Sequence, residues 1–381
     1  MIYIHVPFCH RKCTYCAFYS KPMIASVETQ RAASHYVDAL LEEMRQRRGE
    51  QNHPIKTIYF GGGTPSILPL SELGRIVKAL HENFDLSQVE EVTLEANPED
   101  LTPDYLQGLK NLGLINRLSI GIQSLDDQVL RLIGRRHTAA QAIAAVENAY
   151  KAGFHNISVD FIYGLPKVGG RKSEVGCDFS YLISHTSDLI KHVSAYSLTV
   201  ESGTALAEQV AQGRVALPDE DEVVRQYDYI CKFLEENGFS QYEVSNFARP
   251  GFYSHHNSRY WDRTPYLGLG PGAHSFIICT GDSVAHCEKR RWNNPDGTYE
   301  EEVLTEIDAF NELLMTSLRT TRGLSFAAIP EEYKKRLHQL MQPYIKCGWI
   351  VVKSDGGLRY EPTSEGLLHA DGIAAKLFFL A

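Results

Sequence analysis

Six short β-type runs punctuate roughly the first half of the chain: IYIHV (2–6), TIYF (57–60), EVTLEA (91–96), RLSIGI (117–122), ISVDFIY (157–163) and VSAYSL (193–198). Amphipathic stretches lie between them. Leu70, Leu73, Ile76, Val77 and Leu80 fall at helical spacing, which predicts a helix with one apolar face. Thr102 and Pro103 read as the cap and first turn of the next helix, and Gly113 as its stop. Strand alternating with helix predicts parallel strands joined by crossover helices. Six such units make either an open doubly wound α/β sheet or a partial barrel.

The rhythm changes near residue 216. PDEDEVVRQYDYICKFLEENG (218–238) is one helix between Pro218 and Gly238. SQYEVSNFARPGFYSHHNSRYW (240–261) follows, rich in aromatic and polar residues, and then the glycine-rich GLGPGAHSF (268–276). From about residue 303 the pattern is helical again. WIVVKS and LRYEP flank Asp355-Gly356-Gly357, a hairpin signal, and TSEGLLHADGIAAKLFF (363–379) predicts a final helix. Helices followed by a hairpin predict a small winged-helix-like α+β domain, used for packing or as a lid. The expected division is 1–215, a connecting segment 216–302, and 303–381.

The chemistry gathers at one edge of the predicted sheet. Cys9 follows the first strand, GGGTP (61–65) the second, and Gln123 the fourth; Glu95 ends the third and Asp160 lies in the fifth. Barrels and open α/β sheets both place active sites at the C-terminal ends of their strands. The formal net charge of -9 argues against a nucleic-acid partner, which needs cations for phosphate. There is no apolar run long enough for a bilayer and no secretory pattern in MIYIHVPFC. A reducing, cytoplasmic setting is expected, where cysteines favour metals over disulfides. Of the eight cysteines, Cys177, Cys231, Cys279, Cys287 and Cys347 are scattered and read as small buried hydrophobes.

The other three, Cys9, Cys13 and Cys16, have the spacing C-x3-C-x2-C. Thiolates select zinc or iron–sulfur clusters. Structural zinc closes with four protein ligands, and neither His5 nor His10 has a convincing partner to complete such a set. A [4Fe–4S] cluster on three cysteines leaves one iron open. Placed just after a first parallel strand, this spacing resembles that of the radical S-adenosylmethionine (SAM) superfamily. The resemblance implies that SAM caps the open iron through its amino and carboxylate groups, and that the cluster passes an electron into the sulfonium. It implies a partial (β/α)6 TIM-like barrel.

A narrower resemblance covers nearly the whole chain. YIHVPFC (3–9), GGGTPS (61–66), EANPED (95–100), SIGIQS (119–124), IGRRH (133–137), DFIYGLP (160–166), AYSLTVESGT (195–204), YEVSNFARPG (242–251) and LLMTSLRTTRGL (313–324) are similar to the oxygen-independent coproporphyrinogen III dehydrogenase family. That family's SAM-contacting positions map onto Tyr3, Tyr15, Gly62, Gly63, Thr64, Glu95, Gln123, Arg135 and Asp160. Two features depart from the dehydrogenase. Phe18 stands where it carries a further cysteine, and the chain starts almost at the first strand. With IGRRH and HNSRYW (256–261), these resemble the haem chaperone branch, which implies haem as a third cofactor and His256 as its ligand, with His255 an adjacent competitor. The implied partners are apo-haem proteins and an electron donor such as flavodoxin or ferredoxin. The alternative is a porphyrinogen-decarboxylating enzyme; a third reading, an RNA-modifying radical SAM enzyme, requires a basic surface. KVGGRKSEVGCDFS (167–180) departs from the family, and no catalytic residue is singled out.

Overall fold

The computed structural model describes all residues except 24–26, 52, 167–174, 282–283, 355–356 and 381. The first strands are β1 (Ile2–Val6), β2 (Thr57–Gly62), β3 (Glu91–Ala96), β4 (Arg117–Gln123), β5 (Asn156–Tyr163) and β6 (His192–Ser197). They pair in chain order and run parallel. The crossovers are carried by α1 (Val27–Arg47), α2 (Leu70–Asn83), α3 (Pro103–Asn111), α4 (Asp127–Leu132), α5 (Ala139–Lys151) and α6 (Val175–Thr186). Thr102 caps α3 by accepting from the Tyr105 N–H at 3.3 Å. The Leu70 helix buries Leu73, Ile76, Val77 and Leu80. Most of the 167–180 departure lies outside the described residues, as do the side chains of Cys177 and Cys279.

Three short strands of the segment 216–302 join the barrel sheet. After α7 (Ala205–Ala211) and α8 (Glu220–Glu236), two short strands extend one edge: β8 (Asn246–Ala248) pairs antiparallel with β6, and β7 (Ser240–Gln241) pairs antiparallel with β8. β9 (Leu267–Leu269) extends the other edge, parallel to β1. The order is β9-β1-β2-β3-β4-β5-β6-β8-β7, with no pairing between its two ends. This is the partial barrel expected, rather than an open doubly wound sheet.

Each core strand has an apolar outer face and a polar inner face. Ile58, Phe60, Val92, Leu94, Leu118, Ile120, Val159 and Val193 are buried in the hydrophobic core with residues of the crossover helices. The alternate residues, among them Thr57, Tyr59, Thr93, Glu95, Arg117, Ser119, Ser158, Asp160 and His192, point inward, because successive side chains of a strand alternate. Towards the N-terminal ends of the strands this lumen is sealed by α9 (His255–Trp261), the HNSRYW segment. Thr57, Glu91, Thr93 and Arg117 are buried there, whereas Tyr59, Glu95, Gln123 and Asp160, nearer the other end, are half-buried.

Three further strands, β10 (His274–Gly281), β11 (Val284–Asn293) and β12 (Tyr299–Val303), make an antiparallel sheet beside β9. The C-terminal unit has its own core of Phe310, Leu314, Leu318, Leu337, Met341 and Tyr360. Its order is α10 (Glu306–Leu318), β13 (Leu324–Ser325), α11 (Glu331–Lys346), the pair β14 (Ile350–Lys353) and β15 (Arg359–Pro362), α12 (Ser364–Leu368) and α13 (Ala370–Leu377). That is the winged-helix-like arrangement expected, with two differences. The final helix is broken at His369. Cys347, expected buried, is exposed because it lies at the C-terminal end of α11. No described helix is long and apolar enough to cross a membrane.

Arg47 fastens α1 to this framework. Only 4% exposed, it pairs with Glu43 and Glu50 at 2.8 Å and donates to the Gly268 carbonyl at 2.7 Å and Ser275 Oγ at 3.1 Å. Breaking a buried ion pair from one side costs about 3–5 kcal/mol. Arg47→Ala is therefore expected to lose stability on that scale, read as a lower urea midpoint at unchanged slope.

Candidate functional site

The cysteine loop leaves the end of β1 and is held from several sides. The Lys21 N–H donates to the Pro7 carbonyl and the Met23 N–H to that of Cys9, both at 2.7 Å. The Thr14 N–H donates to the Ile133 carbonyl at 3.0 Å, and the Thr14 carbonyl accepts from the Leu206 N–H at 2.8 Å. Cys9, Cys13 and Cys16 are half-buried free thiols. Burial raises the Cys16 pKa, and its two neighbouring thiols push the same way. Thr64 donates to Cys9 Sγ at 3.5 Å and Arg135 to Cys13 Sγ at 3.6 Å, so donors are already aimed at sulfur.

The donor set fits a polynuclear cluster better than a single ion. Among the described residues, no three His, Cys, Asp or Glu side chains converge on one metal position. The two histidines beside the loop are engaged elsewhere. His10 Nε2 lies 3.3 Å from Asp100. His5 Nε2 donates to the Tyr19 carbonyl at 3.0 Å, and its Nδ1 accepts from the Tyr3 hydroxyl at 3.1 Å. Three thiols, with His5 and His10 engaged elsewhere and no fourth donor among the described residues, match a cluster with an open iron.

The glycine run closes against this loop. The Gly63 N–H donates to the Val6 carbonyl at 2.8 Å and the Thr64 N–H to that of Phe8 at 2.6 Å. A Cβ on Gly63 would stand 2.4 Å from the Phe8 oxygen, and one on Gly62, at φ +107°, 2.7 Å from the His5 ring. Only glycine permits both approaches.

Around the glycines stand the polar ends of the inner face. Glu95 accepts from the Tyr59 hydroxyl at 2.8 Å. Burial pushes its carboxyl up to about 8, with the Asp160 charge adding to the effect. Burial also raises Asp160, which accepts from Ser119 at 3.2 Å. Arg135 donates to the Asn97 side chain and to the Gly121 carbonyl, each at 2.6 Å. Gln123 takes φ +69°, a left-handed conformation uncommon for a residue with a side chain, where the β4–β5 register shifts. Tyr15 packs on Val129, Leu130, Ile133 and Leu165 behind the cysteine loop. Thus Tyr3, Tyr15, Gly62, Gly63, Thr64, Glu95, Gln123, Arg135 and Asp160 belong to one region with the three cysteines. Tyr59, Asn97 and Ser119 belong to it too and were not singled out from the sequence. The alternation of polar residues in β2–β5 is the signal that reaches Tyr59 and Ser119.

His256 stands apart. It is fully buried beside the first residues of β2 and β3. Its Nδ1 is hydrogen-bonded to Thr57 Oγ1 at 2.8 Å and its Nε2 to the Tyr260 hydroxyl at 3.0 Å. Glu91 accepts from the backbone N–H groups of His255 and His256, both at 2.9 Å, and so anchors the start of α9. Burial, then nearby positive charges, keep the ring neutral. In this conformation neither nitrogen is open to iron, contrary to the expectation for a haem ligand; Nε2 opens only if the Tyr260 hydroxyl moves away.

A family model described as the radical SAM superfamily matches residues 3–172, and one described as the HemN C-terminal domain matches 304–369. Heme chaperone HemW of Lactococcus lactis is 35% identical over 89% of this chain and 86% of its own length. Heme chaperone HemW of Bacillus subtilis is 34% identical over 90% of this chain and 89% of its own. This chain belongs to the HemW family of radical SAM proteins. The structure of coproporphyrinogen III oxidase (HemN) from Escherichia coli, described as a radical SAM enzyme, superposes with a TM-score of 0.78 over 99% of this chain and 89% of that one. At 23% identity that likeness establishes the fold. A radical SAM domain implies a [4Fe–4S] cluster and SAM, and the donor set of this HemW-family chain fits both.

Gly63→Ala tests the closure on the cysteine loop. Overpacking there is expected to cost about 1–3 kcal/mol. Iron and acid-labile sulfide per reconstituted chain are expected to fall below wild type; full loading at unchanged stability would show that the loop does not need this contact.

Proposed function

We propose that this chain is a haem chaperone: it binds haem and hands it to apo-haem proteins, using a cluster and SAM site inherited from the radical SAM fold. The observation that carries this reading is the similarity to proteins named heme chaperone over about nine-tenths of the chain. A supporting detail is Phe18, 70% exposed where the dehydrogenase resemblance calls for a cysteine. A cytoplasmic setting, with an electron donor such as flavodoxin or ferredoxin, belongs to the same reading.

Cys9, Cys13 and Cys16 would hold the cluster, which when bound supplies a single electron to SAM. Thr64 and Arg135 donate toward the sulfurs. The glycines of GGGTP offer close backbone approach for the amino group of SAM, with Tyr3, Tyr15 and Gln123 as further contacts. Glu95 and Asp160 accept from amino or ribose hydroxyl groups, and Arg135 also suits a carboxylate. His256 belongs to the motif from which the resemblance implies haem binding, and its two ring nitrogens are engaged by Thr57 and Tyr260.

The test is anaerobic titration of the reconstituted full chain with haem. A saturable Soret change at one haem per chain is expected, and its absence would overturn the proposal. The fold likeness to coproporphyrinogen III oxidase motivates a second reading, radical decarboxylation of a porphyrinogen. Reduced protein incubated with coproporphyrinogen III is expected to release no carboxyl groups at catalytic turnover, by mass spectrometry of the product.

The Glu95 shift has a consequence for SAM. Below its pKa of about 8 the carboxyl is neutral in the empty site; above it the carboxylate is a full acceptor. Affinity of the cluster-loaded wild type, relative to Glu95→Gln, is therefore expected to rise about tenfold between pH 7 and pH 9. A ratio flat with pH in equilibrium binding would remove Glu95 from the SAM contacts.

A further inference from the structure

Beside α9 lies a cleft of about 340 Å³ with three walls. The first is one face of the β10–β11 pair. Its register sets His274 opposite Trp292 and Phe276 opposite Arg290, and the alternation of strand side chains puts these four on one face. The second wall is the end of α9 and the turn beyond it, with Tyr260, Trp261 and Tyr266. The third is α10, whose Glu312, Met315 and Thr316 fall at i, i+3 and i+4. Met315 is exposed there.

These walls suit a flat apolar ring system with a metal and acidic substituents. Two indoles, a phenyl and two phenols give broad aromatic faces. Among the described residues the buried Trp261 indole N–H has no hydrogen-bond partner. Arg290 reaches the cleft from β11, its side chain part-exposed and paired with Glu302 at 3.8 Å and with Glu312, and gives a cation for a propionate. His274 is the imidazole of this cleft. It is exposed, it meets Trp292 edge-on at 5.9 Å, and among the described residues no hydrogen bond occupies its ring nitrogens.

His256 contrasts at each point, since it is sealed and both nitrogens are engaged. Its tie to the cleft is Tyr260, whose hydroxyl bonds to Nε2 and whose ring meets Tyr266 edge-on at 4.8 Å. We propose that this cleft is the haem site, with His274 as the axial ligand, and that His256 is a positioning residue which holds the Tyr260 wall. This rests on the haem-chaperone reading and assigns its ligand within it.

The experiment compares haem titrations of the full-length wild type, His274→Ala, His256→Asn and Tyr260→Phe, read by Soret absorption and by electron paramagnetic resonance of the ferric state. His274→Ala is expected to lose the nitrogen-ligated signature and at least tenfold in affinity, with the signature restored by added imidazole. His256→Asn and Tyr260→Phe are expected to keep the ligation signature and to weaken affinity in parallel. A His274→Ala protein with wild-type spectrum and affinity would overturn the assignment while leaving haem binding intact, as would loss of nitrogen ligation in His256→Asn alone. A wild type that takes up no haem would overturn both the assignment and the haem reading beneath it.

Discussion

The structure depends on a parallel barrel whose strands are apolar outside and polar inside. Parallel strands are usually covered on both faces and read as continuous apolar runs. Here most of the alternate residues of β2–β5 are polar, the exceptions being Gly61, Gly121 and Ile162, and a buried polar group without a partner costs about 1–3 kcal/mol. The inner face must therefore be satisfied by itself, by a plug, or by a ligand. At the N-terminal ends the plug does it: His256 meets Thr57, and Glu91 anchors α9. Ser158 and Tyr242 engage the two nitrogens of His192 at 2.7 and 2.8 Å. At the other end Glu95, Asp160 and Arg135 stay half-buried, held by Tyr59, Ser119 and Asn97. One pattern thus supplies a plugged end and a half-buried polar one.

The same division explains why the cysteine loop can be precise without regular structure. Its backbone is tied to β1, to the turn after α4, and to α7, while the glycine run of β2 lies against it. Those elements are fixed by the apolar outer core. The loop needs no hydrophobic interior of its own, which leaves its thiols free to face a cofactor.

Much of this was legible in the sequence, because it rests on local patterns. The six core strands, the capped helix after Thr102, and the cysteine and glycine runs are each set by a few neighbouring residues. The short strands β7–β9 were not legible: two or three residues carry no periodicity, and their pairing comes from the edges they meet. Nor was the place of His256. HNSRYW gives a histidine and two aromatic rings, a composition suited equally to a ligand and to a plug. What decides the geometry is Thr57 and Glu91, which lie 199 and 165 residues away from it. The Arg47 anchor is hidden for the same reason, since its partners include Gly268 and Ser275.

The two ends of the lumen are joined by aromatic rings. Tyr266, Tyr260, His256, Tyr59 and Tyr3 follow one another at centroid distances of 4.8, 5.1, 5.1 and 6.2 Å. Tyr266 and Tyr260 line the cleft beside α9, and Tyr59 bonds to Glu95 at the open end. Burial raises the pKa of each of these phenols, so all remain neutral. The polar inner face around Glu95 is thus backed by the same packed wall that shapes the cleft. A change in Tyr260 or His256 must be felt on both sides of that wall, because each ring has the next as its packing surface.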